Sequence, residues 1–134
     1  MVKKTIIMID DDDYFLSKWQ QTLGTEIELI TYISLSDFED DLIDGNPKAT
    51  SSECIIVDFE FGNTNAGKRD FANYIRDEHN YQKPILLCSL HDSFGEYDQL
   101  IRESFDSVID KTPLTWAELS KILKSSKGRN SKEK

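Results

Sequence analysis

Four aspartates stand in a row at Asp10–Asp13, directly after the apolar run Thr5–Ile9. A fifth, Asp58, closes the apolar run Cys54–Val57. Ser89 closes Pro84–Cys88, and Lys111 follows Val108-Ile109-Asp110. Each of these polar residues stands where a short buried strand would end. If the strands run parallel, their ends share one edge. The set is then several carboxylates, one hydroxyl and one ammonium. Two carboxylates about 4 Å apart repel by roughly 4 kcal/mol at an effective dielectric near 20. Three converging acids therefore need a cation or must take up protons. Oxygen-only ligands suit a hard ion, and few protein ligands plus waters suit Mg2+ better than Ca2+. With the ion in place, one carboxylate can attack a phosphoryl group. The hydroxyl and the ammonium can hold the equatorial oxygens during in-line transfer.

The elements that must position these residues alternate along the chain. Thr5–Ile9 reads as a buried strand. Tyr14, Phe15, Leu16, Trp19 and Leu23 recur with helical spacing, and Gly24 ends that helix. Ile27–Ile33 reads as a second strand. Ser36 with Glu39 forms a capping box ahead of Phe38, Leu42 and Ile43. Residues 45–52 form a polar loop. Cys54–Val57 is a third strand, 62–67 a loop, and Phe71, Ala72, Tyr74 and Ile75 mark the next helix. Pro84–Cys88 is a fourth strand, and Ser93 with Glu96 caps a helix carrying Tyr97, Leu100 and Ile101. Val108–Ile109 is a fifth strand. Thr115 with Glu118 caps a last helix carrying Trp116, Leu119, Ile122 and Leu123. Five strands alternating with five helices predict a parallel sheet covered on both faces.

Composition narrows the function. The 134 residues carry a net charge of −9. Residues 121–134 hold six basic residues and one acid, a local charge of +5. The remaining 1–120 hold 10 basic and 24 acidic residues, or −14. Such a body repels phosphate backbones, so broad nucleic-acid binding by it is excluded as an expectation. The apolar stretch after Lys3-Lys4 ends at Ile9, too short for a signal-peptide core, and no stretch reaches membrane-spanning length. Cys54 and Cys88 lie far apart in apolar runs, which predicts buried thiols in a reduced cytoplasm. Two stretches are expected: a folded domain over 1–124 and a disordered basic tail over 125–134.

Asp10-Asp11, Asp58, Ser89 and Lys111, in this order and at these separations, resemble the receiver domains of two-component response regulators. The resemblance covers about residues 4–124 and is closest to the stand-alone, chemotaxis-type form. It implies a flavodoxin-like strand order, 2-1-3-4-5. It implies that Asp58 accepts a phosphoryl group from a histidine kinase or a phosphotransfer protein. Asp11, Asp58 and the backbone carbonyl of Glu60 would ligate Mg2+, with Asp10 holding the metal through water. Ser89 would bond the phosphoryl oxygen, and Lys111 would pair with it. The domain would be a phosphoacceptor within a phosphorelay rather than an enzyme. It would signal through a conformational switch to a downstream effector protein, with no DNA-binding domain and no membrane. Family members commonly dimerise through the fourth helix, fifth strand and fifth helix, so a dimer is one expected state beside a monomer.

The sequence departs from the family in four places. Val108 stands where an aromatic residue usually changes rotamer with the hydroxyl. In Lys111-Thr112-Pro113 the proline is displaced by one. Leu90 replaces a small residue, which predicts shielding of the site. The loop after Asp58 lacks its usual proline and has one extra residue before Gly67. Glu60 and His91 hold the two variable positions that flank the phosphoryl site. Two other readings stand beside the receiver. One is a pseudo-receiver scaffold without phosphotransfer. The other is a small haloacid-dehalogenase-type phosphohydrolase, with Asp10 of Asp10-x-Asp12 as nucleophile. Asp12 and Asp13 are expected to cap the helix that follows.

Overall fold

The computed structural model describes residues 4–45, 51–58, 65–90 and 98–126. Among the described residues there are five strands: β1 (Lys4–Ile9), β2 (Ile27–Tyr32), β3 (Cys54–Asp58), β4 (Ile85–Ser89) and β5 (Ser107–Asp110). They form one sheet in the order β2-β1-β3-β4-β5, and every pairing is parallel. The fold class and strand order expected from the sequence are therefore found. Helices α1 (Asp13–Leu23), α2 (Leu35–Ile43), α3 (Asn65–His79), α4 (Asp98–Ser104) and α5 (Trp116–Ser126) complete the alternation.

Side chains alternate across each strand, so a fully apolar strand feeds two cores. Ile6, Met8, Cys54, Ile56, Leu86, Cys88 and Ile109 pack on one face with Phe15, Leu16 and Trp19 of α1 and Leu119 of α5. Ile7, Ile9, Ile55, Val57, Ile85 and Leu87 pack on the other with Phe38 of α2 and with Phe71, Ala72 and Ile75 of α3. Burying each large apolar side chain contributes roughly 1.5–3 kcal/mol. This is why β1 carries no charge after the exposed Lys4, β3 none before Asp58, and β4 none at all.

Local sequence sets the helix ends. Asp12 caps α1 by accepting from the Tyr14 and Phe15 N–H groups, and Asp13 supplies an acid to the first turn. Gly24 ends α1 at φ +87°, a conformation that glycine adopts without strain. The cap of α2 is Ser34, not Ser36, with Ser34 Oγ accepting from Asp37 N at 3.1 Å. The box at α5 is reciprocal. Thr115 N donates to Glu118 Oε1 at 2.9 Å, and Glu118 N donates to Thr115 Oγ1 at 3.1 Å. Residues 65–67, expected in a loop, already belong to α3. Helix α5 runs two residues past the expected domain boundary. There the Ser125 and Ser126 hydroxyls donate to the Ile122 carbonyl, and Ser126 also meets Ser107 Oγ at 2.9 Å. Tyr14 and Ile43, expected on apolar stripes, are 70% and 72% exposed. Each lies one position off the stripe that its helix buries. The Ser93–Glu96 box, much of the 45–52 loop and the tail beyond Ser126 lie outside the described residues.

Candidate functional site

β1, β3, β4 and β5 run parallel, so their carboxyl ends form one edge, and the acids collect there. Asp10 continues β1, its N–H donating to the Tyr32 carbonyl at 3.0 Å. Asp58 ends β3, in register with Cys88, and Ser89 ends β4, in register with Asp110. Asp10, Asp58 and Ser89 are all buried, whereas Asp11 is exposed. Carboxylate oxygens of Asp10, Asp11 and Asp58 lie within 4.8 Å of one another.

Lys111 crosses this cluster. Its Nζ donates to Asp58 Oδ1 at 3.0 Å and pairs with Asp10 Oδ2 at 3.6 Å. The same ammonium lies 5.2 Å from the centroid of the Phe15 ring. The displaced proline has a structural use. Thr112 keeps its N–H, which donates to the Asp110 carbonyl at 2.8 Å and closes a tight turn around Lys111. A proline at position 112 would lack that donor.

The electrostatics follow from burial. Burial pushes the Asp10 carboxyl up from 3.8 to about 6. The Asp12 N–H, bonded to Asp10 Oδ1 at 2.9 Å, pulls it down. The Asp58 charge raises it again, Lys111 lowers it, and Asp11 raises it. For Lys111, burial disfavours the ammonium, but the Asp58 hydrogen bond and the Asp10 and Asp58 charges more than offset this and raise its pKa. The Cys88 thiol is pushed up to about 12, first by burial and then by Asp58. It is therefore neutral and packs as a small apolar group, as does Cys54. Both cysteines are free and buried.

The donor set fits a small hard dication. Three carboxylates offer oxygens at one point, and Asp10 Oδ2 is buried without a hydrogen-bond partner among the described residues. The fourth expected ligand, Glu60, lies outside the described residues, as does His91. Leu90 follows Ser89 with its side chain 71% exposed, standing in solvent at this edge. Val108 is half-buried against the core that includes Phe71 and Phe105. That Phe15 faces Lys111 is not legible in the spacing of residues. Phe15 lies on the apolar stripe of α1, where a ring and an aliphatic side chain look alike.

One prediction arises here. The fold holds a proton on Asp10 that the unfolded chain releases. That contribution is complete below pH 3.8 and is lost as pH rises through about 6. Without metal, Asp10→Asn is expected to raise stability by about 1–3 kcal/mol near pH 7.5, and by little near pH 4. Added Mg2+ should close the gap near pH 7.5 by stabilising the parent more than the variant. Thermal unfolding at the two pH values, with and without Mg2+, checks both statements.

No protein-family profile and no curated sequence matches the chain. Solved structures do match. The phosphorylated cyanobacterial phytochrome response regulator RcpA aligns with a TM-score of 0.66 and 16% identity, over 94% of this chain and 90% of that one. The response regulator TrrA from Thermotoga maritima, solved with Mg2+ and beryllofluoride, aligns with a TM-score of 0.65 and 20% identity, over 92% and 98%. The receiver domain of the histidine kinase CKI1 from Arabidopsis thaliana, also solved with Mg2+ and beryllofluoride, aligns with a TM-score of 0.65 and 14% identity, over 92% and 89%. The chain has the fold of the response regulator receiver domains.

Proposed function

We propose that the chain is a phosphoryl-accepting signalling domain with Asp58 as the acceptor. The observation that carries this reading is the Lys111 ammonium bridging Asp58 and Asp10 within a three-carboxylate cluster. The donor would be a phosphohistidine on a histidine kinase or phosphotransfer protein. An Asp58 carboxylate oxygen attacks phosphorus in line. The new O–P bond forms as the P–N bond breaks, and its electron pair returns to the imidazole, which takes up a proton. Water later cleaves the acyl phosphate and restores the carboxylate. Asp10, Asp11 and Asp58 would hold Mg2+, which when bound supplies positive charge to the phosphoryl oxygens. Lys111 is placed to pair with one of those oxygens, and Ser89 is the hydroxyl of the same edge.

The Asp58 phosphoryl dianion would be read by a partner protein, since such a charge draws nearby donors toward it. Val108 cannot swing as a ring can, so that readout would run through the Lys111 turn and Ser89. The domain then turns over no substrate beyond its own phosphoryl group. Two buried free thiols support a reducing compartment, the cytoplasm. Among the described residues no helix is long and apolar enough to cross a membrane.

The dehalogenase-type reading is disfavoured by the Asp12 carboxylate, which is committed to capping α1. It is therefore not disposed to act as the acid of an Asp-x-Asp pair. The test is intact mass after incubation with phosphoramidate and Mg2+. A gain of one phosphoryl group is expected, abolished by chelator and by Asp58→Asn. A gain lost only with Asp10→Asn would support the hydrolase, and no gain under any condition would support the scaffold.

A further inference from the structure

We infer that Phe15 is a positioning residue whose ring keeps the Lys111 ammonium at the site once its carboxylate partners are engaged elsewhere. The inference rests on the reading of Asp58 as phosphoacceptor.

The geometry is fixed on three sides. Phe15 N donates to Asp12 Oδ1 at 3.2 Å, and Asp12 N donates to Asp10 Oδ1 at 2.9 Å. The backbone that carries the ring is thus tied through the helix cap to Asp10 of the acidic cluster. Behind it, Trp19 is fully buried and meets the ring edge-on, at a centroid distance of 6.5 Å and an interplanar angle of 79°. In front of it stands Lys111 Nζ, at 5.2 Å from the centroid. Phe15 therefore has little freedom to leave, and Lys111 has one neutral partner beside two charged ones.

The two kinds of partner respond differently to loading. The carboxylates hold Lys111 through charge, at 3.0 and 3.6 Å. A dication on the same oxygens neutralises that charge and repels the ammonium. Transfer of a phosphoryl group to Asp58 also consumes a carboxylate oxygen. A π-face neither titrates nor binds a hard cation, yet it attracts an ammonium through its quadrupole. Its contribution is therefore greatest in the loaded state, when Lys111 would otherwise extend into solvent. A ring at this place shortens the search of Lys111 for the incoming anion. Leucine would fill similar volume and offer no such face.

The test compares Phe15→Leu, which keeps apolar volume, with Phe15→Tyr, which keeps the π-face. In the metal-free protein, the ε-methylene signal of Lys111 should show a ring-current upfield shift by NMR, lost with leucine and kept with tyrosine. With saturating Mg2+, beryllofluoride should bind the leucine variant about 3–10-fold more weakly than the parent, with tyrosine restoring it. Mg2+ affinity should stay within about twofold in both variants, because no ligand changes. Equal beryllofluoride affinity in parent and leucine variant overturns the inference alone. So does a parallel loss of Mg2+ affinity, which marks Phe15 as packing only. Failure of the parent to bind beryllofluoride overturns the phosphoacceptor reading, and this inference with it.

Discussion

Replacing Arg76 by alanine is expected to destabilise the protein by about 3–5 kcal/mol. That corresponds to a fall of about 10–20 °C in the unfolding midpoint. Arg76 reaches from α3 to the turn before β5, where its guanidinium donates to Asp106 Oδ2 at 2.7 Å and to the Ser104 carbonyl. Asp106 Oδ2 also accepts from Ile85 N at 2.8 Å, and Asp106 N donates to the Ile85 carbonyl at 2.8 Å. One ion pair thus joins α3, the end of α4 and the entry to β4. The side chains are only 10% and 5% exposed, so removing the cation takes the charge partner from a buried carboxylate. Asp106→Ala should cost a similar amount, and the double variant far less than the sum of the two. Denaturant unfolding of the three variants measures this. A loss below about 1 kcal/mol for Arg76→Ala would class the pair with ordinary surface bridges.

Lys111→Ala is expected to have opposite effects on the metal-free fold and on metal binding. The ammonium faces Asp58 at 3.0 Å and Asp10 at 3.6 Å, with its side chain 14% exposed. Each attraction is worth about 5 kcal/mol at an effective dielectric of 20, before desolvation is subtracted. Without it the two buried acids face each other uncompensated. Metal-free stability should fall by about 2–4 kcal/mol near neutral pH, limited by proton uptake on Asp10. Mg2+ should bind about 10-fold more tightly, since a competing cation has gone. Phosphoryl uptake should nevertheless slow by at least about 10-fold, because the charge that meets the incoming anion is missing. Calorimetric Mg2+ titration and the rate of mass gain with phosphoramidate separate the two effects. Weaker Mg2+ binding would show that Lys111 organises the cluster instead of competing with the metal.

The sheet and its acidic edge were legible because the same residues serve both. Asp10, Asp58 and Ser89 each end an apolar run, and parallel pairing brings such ends together without further information. The cap of α2 was misread because Ser34 and Ser36 both precede an acid by three residues, Asp37 and Glu39. Backbone geometry, not spacing, chooses between them. Residues separated by long stretches of chain left no mark. Arg76 and Asp106 are thirty residues apart, and each reads alone as a solvated charge. Ser52 and Tyr81 likewise meet in the interior at 3.0 Å, where burial raises the Tyr81 hydroxyl well above its usual range. Phe15 is buried on the apolar stripe of α1, as its spacing predicts, but periodicity reports that a face is buried and not that Lys111 lies against it.

The central claim is that Asp58 takes the phosphoryl group. The most direct test is to phosphorylate the chain with phosphoramidate and Mg2+, reduce the acyl phosphate with borohydride, and map the product by peptide mass. The expected result is conversion of residue 58, and of no other aspartate, to homoserine. Homoserine at Asp10 or Asp11, or an unreduced chain after full exposure to the donor, would contradict it.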